Sequence, residues 1–336
     1  MTKKIILTAD MKARLDAASG VGTGPWLEDQ LNSLDPRVFM VIEREMTYAQ
    51  DVPVNTGIVS PGAASYSWIK RDKIGAVKRI AGEGKDLPTV DVTGEQISAT
   101  VEQFGAALTY NTREIDAARM AGVNLDTSKA DAIRRAFVEN RNHVCYFGDS
   151  KTQKTGLLND SAVTKTVAAN GANPSSPLWA GKTVLEKYND IKAMWVRLFT
   201  KSGGKVKPTV LLMPPDHYAM AITESFNPDG TNVTLAEQVQ KVFGLDLRPR
   251  PECCKDNTFE KEDGSKVTGG VKVSGTQYNT GLMFESNAQY VEYLIALDIT
   301  RRGLQEVGLA AFVPYEDRIV GTVLRAPVAF DQIYGW

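Results

Sequence analysis

The sequence predicts an α+β fold, and three features of the 336-residue chain predict it. Residues 126–148 keep helical spacing throughout. A long extended segment punctuated by glycines precedes them, and a segment of alternating helix and strand patterns follows Trp179. Several short strand patterns then close the chain. Separate extended and helical blocks of this kind are typical of α+β proteins.

The first 52 residues are expected to be an N-terminal arm and lead-in. A short helical pattern runs into the Gly/Ser-rich residues 19–24, which are too flexible to hold a fixed shape. Two interpretations stay open: a disordered tail, or an arm that becomes ordered only against a neighbouring subunit. A weak helix ends at Asp35-Pro36, and the apolar residues 38–48 are expected to pack on the body.

Residues 52–88 predict a long two-stranded excursion. Two extended pieces, residues 64–69 and 76–80, flank the polar run Lys70-Arg71-Asp72-Lys73, which predicts a turn. Few of its residues could form a core, and an isolated hairpin is marginally stable in water. We therefore expect the excursion to lie on another surface, of the same chain or of another one.

The alternation over residues 97–101 predicts one half-buried strand that continues towards Leu108. Asn111 and Glu114 have the spacing of a capping box, which predicts a short helix that ends at Gly122.

The long helix over residues 126–148 has Asp126 as its predicted N-cap and Gly148 as its left-handed terminal residue. At about 1.5 Å per residue it is roughly 33 Å long, about the width of a small domain. Its apolar stripe contains Ala130, Ile133, Phe137, Val144 and Phe147. Its polar face, which is either solvated or an intersubunit salt-bridge surface, contains Arg134, Arg135, Glu139 and Arg141.

Beyond Trp179, Thr183, Asp216 and Thr234 are predicted to cap three helices. Residues 210–213 predict a short buried strand, and the charged, glycine-rich residues 257–275 predict a surface loop. The late strands are expected at residues 282–284, 289–296, 310–313, 318–324 and 328–330.

Composition excludes several classes of function. The formal net charge is −1, whereas a dedicated nucleic-acid or anionic-membrane binder would carry a strong basic excess. No apolar run approaches the roughly 20 residues that span a bilayer, and the first apolar run is too short for a signal peptide. We expect a chain made in a cytosol, with its three cysteines reduced and structural.

No catalytic, cofactor-binding or metal site is predicted. His143 and Cys145 are two residues apart on a helix, so their side chains point in different directions. Asp216-His217 resembles a helix start, and no His/Cys spacing fits zinc. One enzymatic alternative stays open: an α/β enzyme with an unrecognised site, whose activity would depend on His217 or Cys253.

In this order, the blocks resemble the Hong Kong ninety-seven fold of tailed-bacteriophage major capsid proteins and of encapsulins. The resemblance covers the chain from about Val52 to its end and depends on an ordered set of short motifs. These are Val52-Pro53-Val54, residues 86–92 (DLPTVDV), residues 112–118 (TREIDAA), Leu125-Asp126-x-x-Lys129-Ala130, Phe147-Gly148-Asp149, residues 156–159 (GLLN) and Arg325-Ala326-Pro327.

The resemblance implies a domain organisation. Residues 53–92 would form the E-loop, a hairpin that overlaps a neighbouring subunit, and residues 93–150 the first strand and long "spine" helix of the P-domain. Residues 151–298 would form the A-domain. Residues 299–336 would supply the return strands of the P-domain and a terminal A-domain strand.

The same resemblance implies a structural protein, not an enzyme, without cofactors. It would self-assemble through pentamers and hexamers into an icosahedral shell around the double-stranded DNA of a tailed phage or prophage. The alternative is an encapsulin shell around a cargo enzyme. Assembly would take place in the host cytoplasm, without a membrane, with non-specific contact to packaged DNA. Scaffold, portal and decoration proteins are further candidate partners.

The candidate intersubunit contacts lie on the excursion and on the long helix. They are Lys70, Arg71, Asp72, Lys73, Asp86, Arg134, Arg135 and Glu139. Some members of the family form covalent lysine–asparagine crosslinks, but no local pattern assigns such a pair here.

Overall fold

The structure, a computed structural model, describes residues 44–79, 89–111, 113–114, 120, 125–149, 151–172, 175–226, 233–261, 264–308 and 310–336. The predictions for residues 1–43, for most of the short helix after Asn111 and for Asp86 lie outside the described residues. Residues 1–45 and 46–336 form two compact units, and the helices and strands named below belong to the second.

The described helices and strands alternate in blocks, as the sequence predicts. The α-helices are α1 (Tyr48–Asp51), α2 (Leu125–Phe147), α3 (Val184–Lys201), α4 (Pro215–Thr223) and α5 (Leu235–Phe243). The strands before α3 are β1 (Val54–Asn55), β2 (Ser65–Ile74), β3 (Asp91–Thr100), β4 (Glu102–Asn111) and β5 (Thr164–Val167). The middle strands are β6 (Val210–Met213), β7 (Asp246–Pro249), β8 (Thr258–Glu260), β9 (Lys266–Thr268), β10 (Val271–Val273) and β11 (Thr276–Tyr278). The last strands are β12 (Thr280–Phe284), β13 (Val291–Arg301), β14 (Gln305–Val307), β15 (Ala310–Leu324) and β16 (Phe330–Tyr334).

The first sheet is built around the long strand β15, which pairs antiparallel with β13, β14 and β4. The short strand β1 adds to it parallel to β13. Helix α2 lies against this sheet, and the Thr322 hydroxyl donates to the carbonyl of Cys145 over 3.0 Å. Ile133, Phe137, Val144 and Phe147 are buried, which confirms the predicted apolar stripe.

The second sheet has the order β5-β16-β12-β6-β7 and is accompanied by α3, α4 and α5. Strands β6 and β12 are buried at every residue, as expected for central strands. Thr183 and Thr234 cap α3 and α5 with complete capping boxes, as predicted. The prediction for Asp216 is wrong: Pro214 is the N-cap of α4, and Asp216 lies in its first turn.

The polar run from Lys70 to Lys73 is not a turn. It lies inside β2, whose ten residues pair in antiparallel register with β3, so that Lys70 is opposite Glu95. Successive side chains of a strand point to opposite faces, and Lys70, Arg71 and Lys73 are exposed, so both faces meet solvent here. This explains why a polar run can continue a strand.

Three further strand predictions need correction. The single strand predicted towards Leu108 is in fact two strands, β3 and β4. Strand β3 pairs with β2 up to Thr100, and β4 pairs with β15 from Glu102. The two predicted strands at residues 310–313 and 318–324 are one, β15, despite Pro314. The predicted surface loop at residues 257–275 contains the hairpin β8–β9 and the first strand of a second hairpin, β10–β11, which extends to Tyr278.

Helix α2 begins at Leu125, so Asp126 lies in its first turn instead of capping it. Gly148 has a φ of 66°, as predicted for the residue that ends the helix. Residues 141–148 are all buried, including Arg141, which the sequence placed on the polar face. Arg141 donates to both carboxylate oxygens of Asp317 over 2.8 and 2.7 Å and to Asp298 over 2.6 Å.

A buried carboxylate joins the two sheets. Asp51, at the end of α1, is fully buried. Its two oxygens accept from Nε and Nη2 of Arg250, both over 2.6 Å. The Tyr146 hydroxyl of α2 donates to the same carboxylate over 2.5 Å, and Arg248 Nη1 donates over 3.1 Å.

We call these four residues, Asp51, Tyr146, Arg248 and Arg250, the Asp51 cluster. In it the negative charge of the Asp51 carboxylate is compensated by the adjacent guanidinium groups. Burial disfavours the charge on Arg250, but the hydrogen bonds and negative charge of Asp51 outweigh it and raise the pKa of that guanidinium. Asn142, one turn from Tyr146, extends the connection. Its Oδ1 accepts from the backbone of Thr47 and Tyr48, and its Nδ2 donates to Glu252 over 2.7 Å.

An aromatic cluster lies beside the second sheet, over Gly281 of β12. The ring of His217 stacks on Trp179 at 5.0 Å between centroids and meets Trp336 edge-on at 5.5 Å. Trp336 lies across Gly281, where a Cβ would lie 1.9 Å from the indole ring. Burial, assisted by the positive charges of Lys187 and Lys182, lowers the pKa of His217 from 6.5 to about 4.

We predict that Asp51→Asn destabilises the subunit by about 3–5 kcal/mol, because it leaves the buried guanidinium of Arg250 without a counter-charge. The matched control is Asp246→Asn, which removes an exposed carboxylate that contacts Arg248 Nε over 2.6 Å. It should cost less than about 1 kcal/mol. Denaturant unfolding of the dissociated subunit measures both, and equal losses would contradict the assignment of Asp51 as the central contact.

We also predict a loss of stability in acid that depends on His217. The pKa of His217 is lower in the folded than in the unfolded protein. The contribution of His217 to the free energy of unfolding is therefore complete above pH 6.5 and is lost as the pH falls towards 4. The contribution of His217 is roughly 3 kcal/mol. His217→Phe retains the ring contacts and should remove this part of the pH dependence. Unfolding of both proteins between pH 4 and 8 tests it, and identical slopes would refute it.

Candidate functional site

The hairpin formed by β2 and β3, hereafter the long hairpin, has a covered base. A small second core consists of Leu294, Ala296, Val320 and Val323 of the first sheet together with Val59, which follows β1. Tyr66, Trp68 and Ala99 of the hairpin pack against it. Tyr66 is opposite Ala99 and Trp68 opposite Ile97, so these side chains share one face of the hairpin.

Arg318 of β15 and Arg325, which directly follows β15, connect this base to the first sheet by hydrogen bonds. Arg318 Nη1 donates to the carbonyl of Pro61 over 2.7 Å. Arg325 Nη2 donates to the Tyr66 hydroxyl over 3.3 Å and also pairs with Glu292 of β13. Burial opposes the charge on Arg325, but these hydrogen bonds prevail and raise its pKa. The base is therefore fixed by packing and by polar contacts.

The distal part of the long hairpin lacks such support. The side chains of Lys70, Arg71 and Lys73 are exposed. So are four aliphatic residues, which we call the distal patch. They are Ile74 (59% exposed), Val77 (100%), Val90 (69%) and Val92 (53%). Ile74 is opposite Asp91 and Val92 is opposite Lys73, so these aliphatic side chains lie on both faces of the hairpin. Exposed aliphatic side chains on a projecting element are typical of an interaction surface.

The structure places the predicted contact residues on two separate surfaces. Lys70, Arg71, Asp72 and Lys73 lie on the long hairpin, where the Asp72 side chain is outside the described residues. Arg134 and Glu139 are exposed on α2, and Arg135 is half-buried there. The two sets are not brought together within the described chain.

The distal patch was missed by the sequence reasoning, which considered only charges in this segment. The available signal was the β-branched pair Val90 and Val92 in a segment without a core of its own. Such residues favour half-buried strands.

Metal ligands and cysteines are the reactive groups to consider among the described residues. Among them, no group of three or more His, Cys, Asp and Glu side chains could hold a metal ion. All three cysteines are buried and free. Burial raises the pKa of the Cys145 thiol to about 12, which disfavours the nucleophilic thiolate. Within the described ranges, no helix is long and apolar enough to cross a bilayer.

Comparison with solved structures confirms the predicted capsid fold. The capsid of Myoviridae phage XM1 superposes with a TM-score of 0.77 at 15% identity, covering 94% of this chain and 100% of that chain. The structure of Mycobacterium phage Ogopogo matches with a TM-score of 0.59 at 13% identity, covering 93% and 99%. The capsid of an empty GTA particle matches with 0.55 at 11%, covering 94% and 99%. At such identities the likeness shows the fold.

Sequence comparison shows the family. No curated protein sequence matches the chain. The family model described as "Major capsid protein" matches residues 75–248, just over half of the chain. This range includes the distal part of the long hairpin, helix α2 and a large part of the second sheet with its helices. The chain belongs to the major capsid protein family and is a shell-forming structural protein of a phage.

Proposed function

We propose that this chain forms, by self-assembly, the icosahedral shell that encloses the double-stranded DNA of a tailed phage, and that it acts without catalysing a reaction. The observation that carries the proposal is the long hairpin, whose distal aliphatic residues face solvent in the single chain. A surface of this kind is explained if a second subunit covers it.

The proposed domain organisation follows the sheets. The long hairpin is the E-loop and, on the pairing of β3, extends to Thr100 instead of residue 92. The first sheet with α2 is the P-domain. The second sheet with α3, α4 and α5 is the A-domain, to which the terminal strand β16 returns. The Asp51 cluster then lies at the junction of the P- and A-domains.

Assembly through pentamers and hexamers requires only modest contacts between subunits. Closed symmetry repeats each contact many times, and the linked contacts stabilise a shell without any single very tight interface. The exposed Lys70, Arg71, Lys73, Arg134 and Glu139 are candidates for such contacts, with Arg135, Asp72 and Asp86 as further candidates.

The near-neutral charge fits a container for DNA. A formal net charge of −1 limits adhesion to the packaged phosphate backbone, since non-specific DNA binding depends on neutralising phosphates with cations. We place assembly in the host cytoplasm, with scaffold, portal and decoration proteins as further partners.

Electron microscopy of the purified protein, alone and with a candidate scaffold, tests the proposal. Closed icosahedral particles of megadalton mass are expected. A protein that stays monomeric at high concentration under all assembly conditions would refute the proposal. A shell that co-purifies with a cargo enzyme instead of a genome would replace the DNA container by the enzyme-enclosing alternative.

We predict that shortening the long hairpin abolishes shells without unfolding the subunit. Replacing residues 70–95 by Asn-Gly joins Ile69 to Gln96, which are opposite each other, through a favoured two-residue turn. Tyr66, Trp68 and Ala99 remain to cover the second core. The thermal unfolding midpoint of the subunit should change little, while particles disappear in electron microscopy.

The control for this shortened chain is the double variant Tyr66→Ala, Trp68→Ala. It keeps the hairpin length but uncovers the second core, and should lower the unfolding midpoint. Normal shells from the shortened chain would refute the assignment of the long hairpin as an intersubunit element.

A further inference from the structure

Helix α4 contacts an aromatic cluster through the imidazole ring of His217. The ring stacks on Trp179 at 5.0 Å between centroids and meets Trp336 edge-on at 5.5 Å. The two indole rings also meet each other, at 4.7 Å and an angle of 70°. All three rings are buried. The imidazole therefore occupies a position that excludes most water.

One nitrogen of this imidazole has no partner. Nδ1 of His217 is buried and has no hydrogen-bond partner among the described residues. A neutral imidazole has one nitrogen that can only accept, whereas both nitrogens of a charged imidazole donate. Protonation therefore adds a charge and a second N–H donor to a ring whose buried nitrogen meets no acceptor. Because a buried donor without an acceptor is costly, the site accommodates the neutral ring better than the charged one.

Two buried ammonium groups lie close to the same ring. Lys187 Nζ of α3 is 3.9 Å from Sδ of Met220, which lies one turn after His217 on the same side of α4. Lys182 directly follows the turn that carries Trp179. The side chains of the two lysines are 3% and 1% exposed. Burial, and then the charges of these lysines, lower the pKa of the imidazole.

The carboxylates around the ring serve the lysines instead. Asp190 Oδ2 accepts from Lys182 over 2.5 Å, and Glu224, which follows α4, pairs with Lys187. Asp216, in the first turn of α4, is exposed to solvent. None of these three carboxylates is hydrogen-bonded to the imidazole. A proton added to the ring would meet two ammonium groups and no acceptor of its own.

Helix α4 has few other buried contacts. Two of its nine residues, His217 and Ala221, are buried, and the others are partly or fully exposed. The preceding strand β6, in contrast, is buried at all four residues. Elements with few buried contacts open at a lower free energy than the core of a protein. Loss of the imidazole contact should therefore release α4 before the second sheet.

We propose that His217 is an acid-sensitive latch: when the ring binds a proton it leaves the aromatic cluster, and α4 separates from Trp179 and Trp336 while both sheets stay folded. In the open state water solvates the charged ring, so the proton stabilises that state alone. Opening uncovers two indole rings, so the chain presents an apolar surface in acid that it covers at neutral pH. The latch is a property of the single chain and does not depend on the proposed function.

Hydrogen–deuterium exchange of the full-length protein at pH 7 and pH 4.5 tests the latch. Peptides from residues 215–223 report on α4, and peptides from residues 125–147 report on α2. The pKa of the imidazole is 6.5 in water and about 4 in the closed cluster. After correction for intrinsic exchange rates, opening of α4 should therefore increase roughly fiftyfold on going to pH 4.5, while α2 stays protected.

The matched variants are His217→Phe and His143→Phe, which replace the two histidines of the chain one at a time. Both histidines are buried beside an aromatic ring. His217→Phe keeps a ring in the cluster but cannot bind a proton there, so exchange in α4 should be the same at both pH values. His143→Phe should respond to acid as the unmodified chain does.

Three results would overturn the latch. Equal opening of α4 at both pH values in the unmodified chain would show that attraction between the charged ring and the indole face prevails. An undiminished acid response in His217→Phe would assign the response to another group. Exchange of α2 together with α4 would mean that acid unfolds the whole subunit instead of opening one helix.

Discussion

The architecture of the subunit depends on one buried carboxylate. Asp51 ends a single-turn helix, yet it accepts hydrogen bonds from α2 and from two arginines about two hundred residues later in the chain. A buried carboxylate is tolerated only when it is paired and fully hydrogen-bonded. The hydrogen bonds to this one side chain therefore fix the positions of these elements relative to one another. The two sheets meet at the Asp51 carboxylate.

The long hairpin, in contrast to the Asp51 cluster, is supported by its own chain only at its base. Its base is covered by a small core and fixed by Arg318 and Arg325, whereas its distal part exposes aliphatic side chains. A fixed base sets the direction of the projection, and an uncovered end leaves binding surface for another chain. Stability and association are thus assigned to different residues of one element, which is why they can be separated by mutation.

Much of this fold could be predicted from local patterns. The apolar stripe of α2, the capping boxes at Thr183 and Thr234, and the terminal Gly148 depend on neighbours a few residues away, and these predictions are confirmed. The failures have long-range causes. In the sequence Arg141 resembles a solvated residue, because its partner Asp317 lies far along the chain in β15. The polar run from Lys70 is a strand only because β3 pairs with it.

The candidate surfaces were predicted less well than the fold, for a related reason. Charges on an exposed face are visible in a sequence, but the core that supports the base of the long hairpin contains Leu294, Ala296, Val320 and Val323, which are distant in the chain. Exposure of an aliphatic residue such as Val90 is likewise known only once the elements that might cover it are placed. The ordered motifs therefore identified the family, while the geometry was needed to find the uncovered aliphatic side chains of the long hairpin.

The strand β15 has a consequence for the folding of the protein. It pairs with β4 from a distant part of the chain, and it also contacts β13 and Pro61 before the long hairpin. Pairings between distant segments form slowly, because the loop must close before the contacts stabilise it. The base that directs the long hairpin is therefore completed late in folding, and each copy becomes competent to join others only once this pairing has formed.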